Sequence, residues 1–115
     1  MWIFSPEAGF FSVVSDPDKP GQLVVRARIR QDLDELRARY LPRLTRTLAT
    51  PNRDYPYRAW CSPTEWAVAL ARMAEISYSN VKDHVLRLQG TARERLYHRV
   101  WAVMLGAEEA LLKDQ

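Results

Sequence analysis

The chain has 115 residues, 47% of them hydrophobic, with four Trp, five Tyr and a formal charge of +3. That length suits a single domain that buries a core without metal or disulfide support, and the composition excludes a disordered chain. The one cysteine, Cys61, excludes an internal disulfide and fits a reducing cytosol, so a cytoplasmic protein is expected.

The N-terminal run Met-Trp-Ile-Phe-Ser-Pro-Glu has no basic flank and is too short for a signal sequence. No run of about 18 apolar residues predicts a membrane span. Residues 1–4 and 9–15 read as one irregular strand, or as a strand with a bulge at Gly9. Asp16-Pro17-Asp18-Lys19-Pro20-Gly21 is a turn. Residues 22–30 form a second strand with a period of two. Leu23, Val25, Ala27 and Ile29 share one face, and Val24, Arg26, Arg28 and Arg30 share the other.

A first helix starts at Gln31, with Asp32 as its cap and Glu35 three residues on. Leu33, Leu36, Tyr40 and Leu41 make its apolar stripe, and Pro42 stops it. Residues 42–56 are an irregular connection, long for a small domain, with Leu44 and Leu48 available to pin it to the core. Tyr57–Cys61 is a third strand. Ser62-Pro63-Thr64-Glu65 is a capping box with proline at the first helical position. The helix behind it carries Trp66, Ala69, Leu70 and Met73 on one side and ends near Ile76. Asn80 or Ser79 caps a short helix that runs through Leu88 and is closed by Gly90. Thr91–Glu94 reads as another capping box, and the last helix runs to about Leu112 with Leu96, Val100, Val103, Met104 and Leu111 as its stripe. The expectation is one α+β domain over residues 1–115: a small antiparallel three-stranded sheet, a hairpin plus one strand, with about four helices packed on one face.

No catalytic, cofactor or metal motif is present. His84 and His98 fall on helices without ligands at metal-binding spacing and read as surface or boundary histidines. Cys61 precedes a helix start, where a thiol can be activated; a small Cys-dependent enzyme is thus a third option, although single cysteines are commonly buried hydrophobes. Glycines 9, 21, 90 and 106 never cluster into a phosphate loop.

Charge is uneven. Residues 1–58 hold ten Lys/Arg against seven Asp/Glu, while residues 59–115 hold seven of each. Arg26, Arg28 and Arg30 alternate along the second strand, which would set them in a row about 7 Å apart. With Tyr55, Tyr57 and Arg58 they make the candidate binding face, which Phe10 or Phe11 could join. Single-strand nucleic-acid binders pair aromatic platforms with basic side chains on an open sheet. Asp32, Asp34 and Glu35 follow the row and would partly neutralise it, so weak nucleic-acid binding at most is expected.

The segments Gly9-Phe10-Phe11-Ser12-Val13-Val14, Val25-Arg26-Ala27-Arg28, Asp54-Tyr55-Pro56-Tyr57-Arg58-Ala59 and Tyr78-Ser79-Asn80-Val81-Lys82 occur in that order. Together they resemble a family of short uncharacterised bacterial proteins of about this length. The resemblance spans nearly the whole chain and implies a small cytoplasmic α+β domain; it brings no activity and no residue role.

The leading expectation is a non-enzymatic interaction or accessory module without cofactor, an inhibitor or accessory protein of a mobile element being one form of it. A protein partner or self-association is expected ahead of nucleic acid, and no membrane association is expected.

Overall fold

The computed structural model describes residues 1–114 and divides into two compact units, Met1–Ser77 and Tyr78–Gln115. The first is built on an antiparallel sheet of five strands rather than three: β1 (Trp2–Ser5), β2 (Gly9–Ser15), β3 (Leu23–Ala27), β4 (Leu48–Ala49) and β5 (Tyr57–Cys61), in the order β1-β2-β3-β5-β4.

Two of the extra edges come from segments that read as something else in the sequence. Residues 2–15 are a hairpin, not one strand. The Ser5 hydroxyl oxygen accepts from the amides of Glu7 at 3.3 Å and Ala8 at 3.0 Å, which turns the chain back on itself. Gly9 completes the reversal at φ +137°. The register then runs from Ser5 opposite Gly9 to Trp2 opposite Ser12. Likewise the long connection 42–56 contains a short edge strand, in which Leu48 pairs with Arg58 and Ala49 with Tyr57. Arg37 fastens its approach by donating to the carbonyls of Leu44 and Thr45 and to the Thr47 hydroxyl. Leu44 is buried in the core as expected, but Leu48 is half exposed and pins nothing.

The turn at residues 16–21 forms where the sequence places it. The Asp16 carboxylate accepts from the Asp18 amide at 2.9 Å, and Gly21 takes φ +78°. β3 is shorter than the alternation suggests. It ends at Ala27; Arg28 and Ile29 form a bend, and Arg30 already opens helix α1 (Arg30–Arg39). Asp32 therefore lies in the first turn and does not cap: Ile29 holds the cap position without a side-chain bond. The buried Asp32 carboxylate instead accepts from the Phe10 amide of β2 at 3.1 Å.

Helix α2 (Pro63–Met73) carries both bonds of the capping box, Glu65 N–H to the Ser62 hydroxyl at 3.1 Å and Ser62 N–H to the Glu65 carboxylate at 2.8 Å. Phe11, Val13, Val25 and Ala59 from the sheet, Leu33 and Leu36 from α1, and Trp66 and Ala69 from α2 form one core. Leu70 and Met73 pack against it partly buried, whereas Ile29, expected inside, is exposed because the strand has already ended.

The second unit holds α3 (Val81–Gln89), α4 (Thr91–Leu105) and α5 (Ala107–Lys113). Asn80 caps α3 through the Asp83 amide, and Gly90 separates α3 from α4 at φ +91°. Gly90, not Thr91, takes the cap position of α4, and the helix expected to reach Leu112 breaks at Gly106. α3 and α4 pack together with Val85 and Tyr97 buried. Leu96, Val100 and Val103 are exposed, contrary to the core reading of their stripe. Among the described residues no helix is long and apolar enough to cross a membrane.

Candidate binding face of the sheet

Strand pairing divides the sheet side chains cleanly. Ile3, Phe11, Val13, Val25, Ala59 and Cys61 face the core. On the opposite face one cross-strand row runs Trp2, Ser12, Arg26, Arg58, Leu48. Phe4 and Phe10 lie on one side of that row; Val14, Val24 and Trp60 lie on the other.

The row of three arginines does not exist as the alternation drew it. Arg26 alone is on the strand, Arg28 is in the bend, and Arg30 is on α1. What the fold assembles is a different set. Arg58 stands directly opposite Arg26 across β3 and β5. Tyr55, buried at the loop before β5, receives two guanidinium groups, Arg26 and Arg28, each centred 4.7 Å from its ring. Phe10 approaches the same ring at 6.2 Å. Tyr57 belongs to the core face, where it packs partly buried, and Arg30 lies over it at 5.1 Å. Of the six candidate residues, Arg26, Arg28, Tyr55 and Arg58 thus come together, and Arg30 and Tyr57 form a separate pair. Phe10 joins the face; Phe11 is wholly inside.

The electrostatics of Arg26 and Arg58 are unusual. Like charges directly opposite in an antiparallel pair repel. Arg26 donates from Nη2 to the Ser12 hydroxyl at 2.6 Å, and neither arginine has an ion pair among the described residues. The Nε of each is shut away from solvent without an acceptor. Burial holds the Arg58 guanidinium below its ordinary pKa, and the charges of Arg53 and Arg26 push the same way; Asp54 and Asp16 oppose them. Asp16 is engaged elsewhere, accepting from the Trp60 indole at 2.7 Å, a bond that holds its carboxyl below the usual range. Lys19 covers the other side of Trp60, 3.6 Å from the ring centre.

Trp2 and Phe4 also belong to this face, and the sequence reading did not name them for it. Phe4 stacks on Phe10 with centroids 4.6 Å apart, and Trp2 meets Phe10 edge-on at 6.5 Å. Their spacing of two is plain in the sequence, but only the hairpin at Ser5–Gly9 sets Trp2 opposite Ser12 and Phe4 opposite Phe10, on the face that carries Arg26.

Other chemistry-bearing residues are placed less promisingly. Cys61 is buried, and burial together with Glu65 raises its thiol to about 11, which leaves little thiolate at neutral pH. His84 stacks on Tyr78 at 4.3 Å and faces Arg87, and the exposed His98 lies beside Trp101. No metal-holding cluster of His, Cys, Asp or Glu occurs among the described residues. An open cleft lined by Tyr40, Leu41, Val68 and Arg72 is apolar, and its one carboxylate, Glu65, is spent on capping.

Protein-family models, curated proteins and solved structures were compared with the chain, and none matches. The likeness to short bacterial proteins rests on the segments quoted above alone.

Proposed function

We propose that this chain is a small interaction module that docks through its helical unit, and that the occupant of that surface is a second copy of the chain. The carrying observation is the apolar surface of α3–α5. Val81, Leu86, Leu88, Leu96, Val100, Trp101, Val103, Met104, Leu105, Leu111 and Leu112 are all exposed, Val103 at 76% and Leu105 at 71%. A helix that is apolar around much of its circumference needs cover on more than one side. Apolar surface on this scale marks interaction sites.

Charge supports self-association over a partner of opposite sign. Residues 78–115 carry six Lys/Arg and five Asp/Glu, so the unit has no field with which to select such a partner. A two-fold contact needs only a patch that complements itself. Full burial of one such side chain contributes roughly 1.5–3 kcal/mol. A micromolar complex needs about 8 kcal/mol net, so several of these side chains must be covered together.

The test is sedimentation velocity from low to high micromolar concentration, with Val103→Asp and Leu105→Asp as variants. Both positions are exposed enough to take a charge without loss of fold. The expected result is a concentration-dependent dimer for the unaltered chain and a monomer for each variant, with unchanged helical circular dichroism. An unaltered chain that stays monomeric throughout, with its helices folded, refutes the reading.

A further inference from the structure

The second face of the sheet presents a separate problem. Arg26 and Arg58 are set against each other in register, their Nε atoms are buried without acceptors, and no carboxylate pairs with either among the described residues. Arg28 adds a third guanidinium, 4.7 Å from the centre of the same Tyr55 ring as Arg26. The acidic residues that follow in sequence do not neutralise this set. Asp32 is buried and bonded to the Phe10 amide, Asp34 pairs with Arg37, and Glu35 pairs with Arg39. The buried Nε atoms are closed to a ligand, but the terminal nitrogens of Arg58 and Nη1 of Arg26 stand outside every hydrogen bond among the described residues, and two such groups side by side are a receptor for an oxyanion.

Aromatic surface lies beside it. Trp2 is 70% exposed and occupies the same cross-strand row, two strands from Arg26, hence about 10 Å away. Phe4 is exposed next to it, braced by its stack on Phe10. Carboxylates of an acidic peptide would satisfy the arginines but give the exposed indole no role. A chain in which anions alternate with flat rings uses both.

We propose that this sheet face binds single-stranded nucleic acid, with a phosphodiester on Arg26 and Arg58, flanked by Arg28, and a base on the rings of Trp2 and Phe4. Such binding is tolerant of sequence, because phosphate contacts position the strand and every base has a face to stack. The inference is independent of the helical docking surface and rests on the other unit.

The experiment is a fluorescence titration of the full chain with labelled oligothymidylate and oligouridylate over a range of salt, alongside a labelled oligoglutamate. Micromolar binding to the oligonucleotides is expected. Arg26→Gln with Arg58→Gln should weaken it at least tenfold and flatten the dependence of log affinity on log salt by about 0.7, the share of the one phosphate they hold. Trp2→Ala should weaken it about tenfold while leaving that slope unchanged. Val103→Asp should leave it intact, which separates this reading from the dimer. If the double Gln variant loses its thermal transition, Arg26→Lys with Arg58→Lys replaces it: the salt slope should persist with weaker binding. No oligonucleotide binding, or binding indifferent to both Trp2→Ala and the arginine changes, overturns the proposal. Tighter binding of oligoglutamate that ignores Trp2→Ala overturns it in favour of an acidic protein.

Discussion

Replacing Gly9 with alanine tests how the sheet and α1 are joined. Gly9 sits at φ +137°, a region that side-chain-bearing residues rarely adopt, and it is buried. A Cβ added there would fall inside van der Waals contact with the Asp32 carboxylate. That carboxylate accepts from the next amide along, Phe10 N–H. Alanine therefore acts twice. Backbone strain costs about 1–3 kcal/mol. Displacing Asp32 breaks a hydrogen bond to a charged group, at about 1.5–3 kcal/mol. Together the loss is about 2.5–6 kcal/mol, a large share of the 5–15 kcal/mol typical of a domain. Urea unfolding followed by tryptophan fluorescence measures it, at low temperature so that the variant stays folded. A double-mutant cycle isolates the contact. Asp32→Ala removes the obstructing carboxylate, so Gly9→Ala should cost less in that background, by about 1 kcal/mol or more. A single-variant loss below about 1 kcal/mol, or strict additivity in the cycle, refutes the account.

Four further outcomes follow from the same structure. Leu33→Ala, in the core, should cost about 2–5 kcal/mol, whereas Val100→Ala, on the exposed stripe, should stay within about 0.5 kcal/mol by urea unfolding at concentrations where the chain is monomeric. Ser62→Ala should cost about 1 kcal/mol through loss of the cap acceptor; an unchanged melting temperature would remove Ser62 from that role. The bonds from Ser62 lower the Glu65 pKa from its ordinary 4.5, so their contribution is present above that value and lost as pH falls through the folded-state pKa, a slope that should shrink in Ser62→Ala. The Cys61 thiol, at about 11, should label in the native protein only as fast as the fold opens; rapid labelling at neutral pH would contradict its burial.

Local punctuation in the sequence was the most legible part of the fold. Asp16 to Gly21, Ser62 to Glu65, Asn80 and Gly90 each carry their own mechanism within a few residues, and each forms as the sequence implies. The strand Tyr57–Cys61 is likewise found at its expected bounds. Errors arose where an element's fate depends on a distant neighbour. Asp32 and Glu35 have the spacing of a capping box, but β2 offers Asp32 an amide and the helix starts earlier. Residues 42–56 lack strand-like alternation because only two of them, Leu48 and Ala49, pair with β5. Ser5 to Gly9 looks like a bulge until the hydroxyl of Ser5 is seen to hold two amides of a turn.

The arginine row and the helical stripe failed for related reasons. Alternation from Leu23 to Arg30 records which residues would share a face if the chain stayed extended; it contains no signal for where extension stops. The chain leaves the sheet at Ala27, and the face is rebuilt from β5 and the loop before it, through Arg58 and Tyr55. Partners supplied by strand order cannot be read along one strand. The stripe on α4 is apolar, as its periodicity implies, but much of it is exposed. Hydrophobic periodicity reports a demand for burial, not its source. Val85 and Tyr97 meet that demand where α3 and α4 touch, while Val103, Met104 and Leu105 do not. In a chain of this size, exposed leucines, valines and a tryptophan on consecutive helical turns are costly to keep without a function. The same reasoning applies to a like-charged arginine couple that has no ion pair among the described residues and shares its sheet face with an exposed indole. The two departures lie on different units and differ in chemistry, one apolar and near-neutral, the other cationic and aromatic.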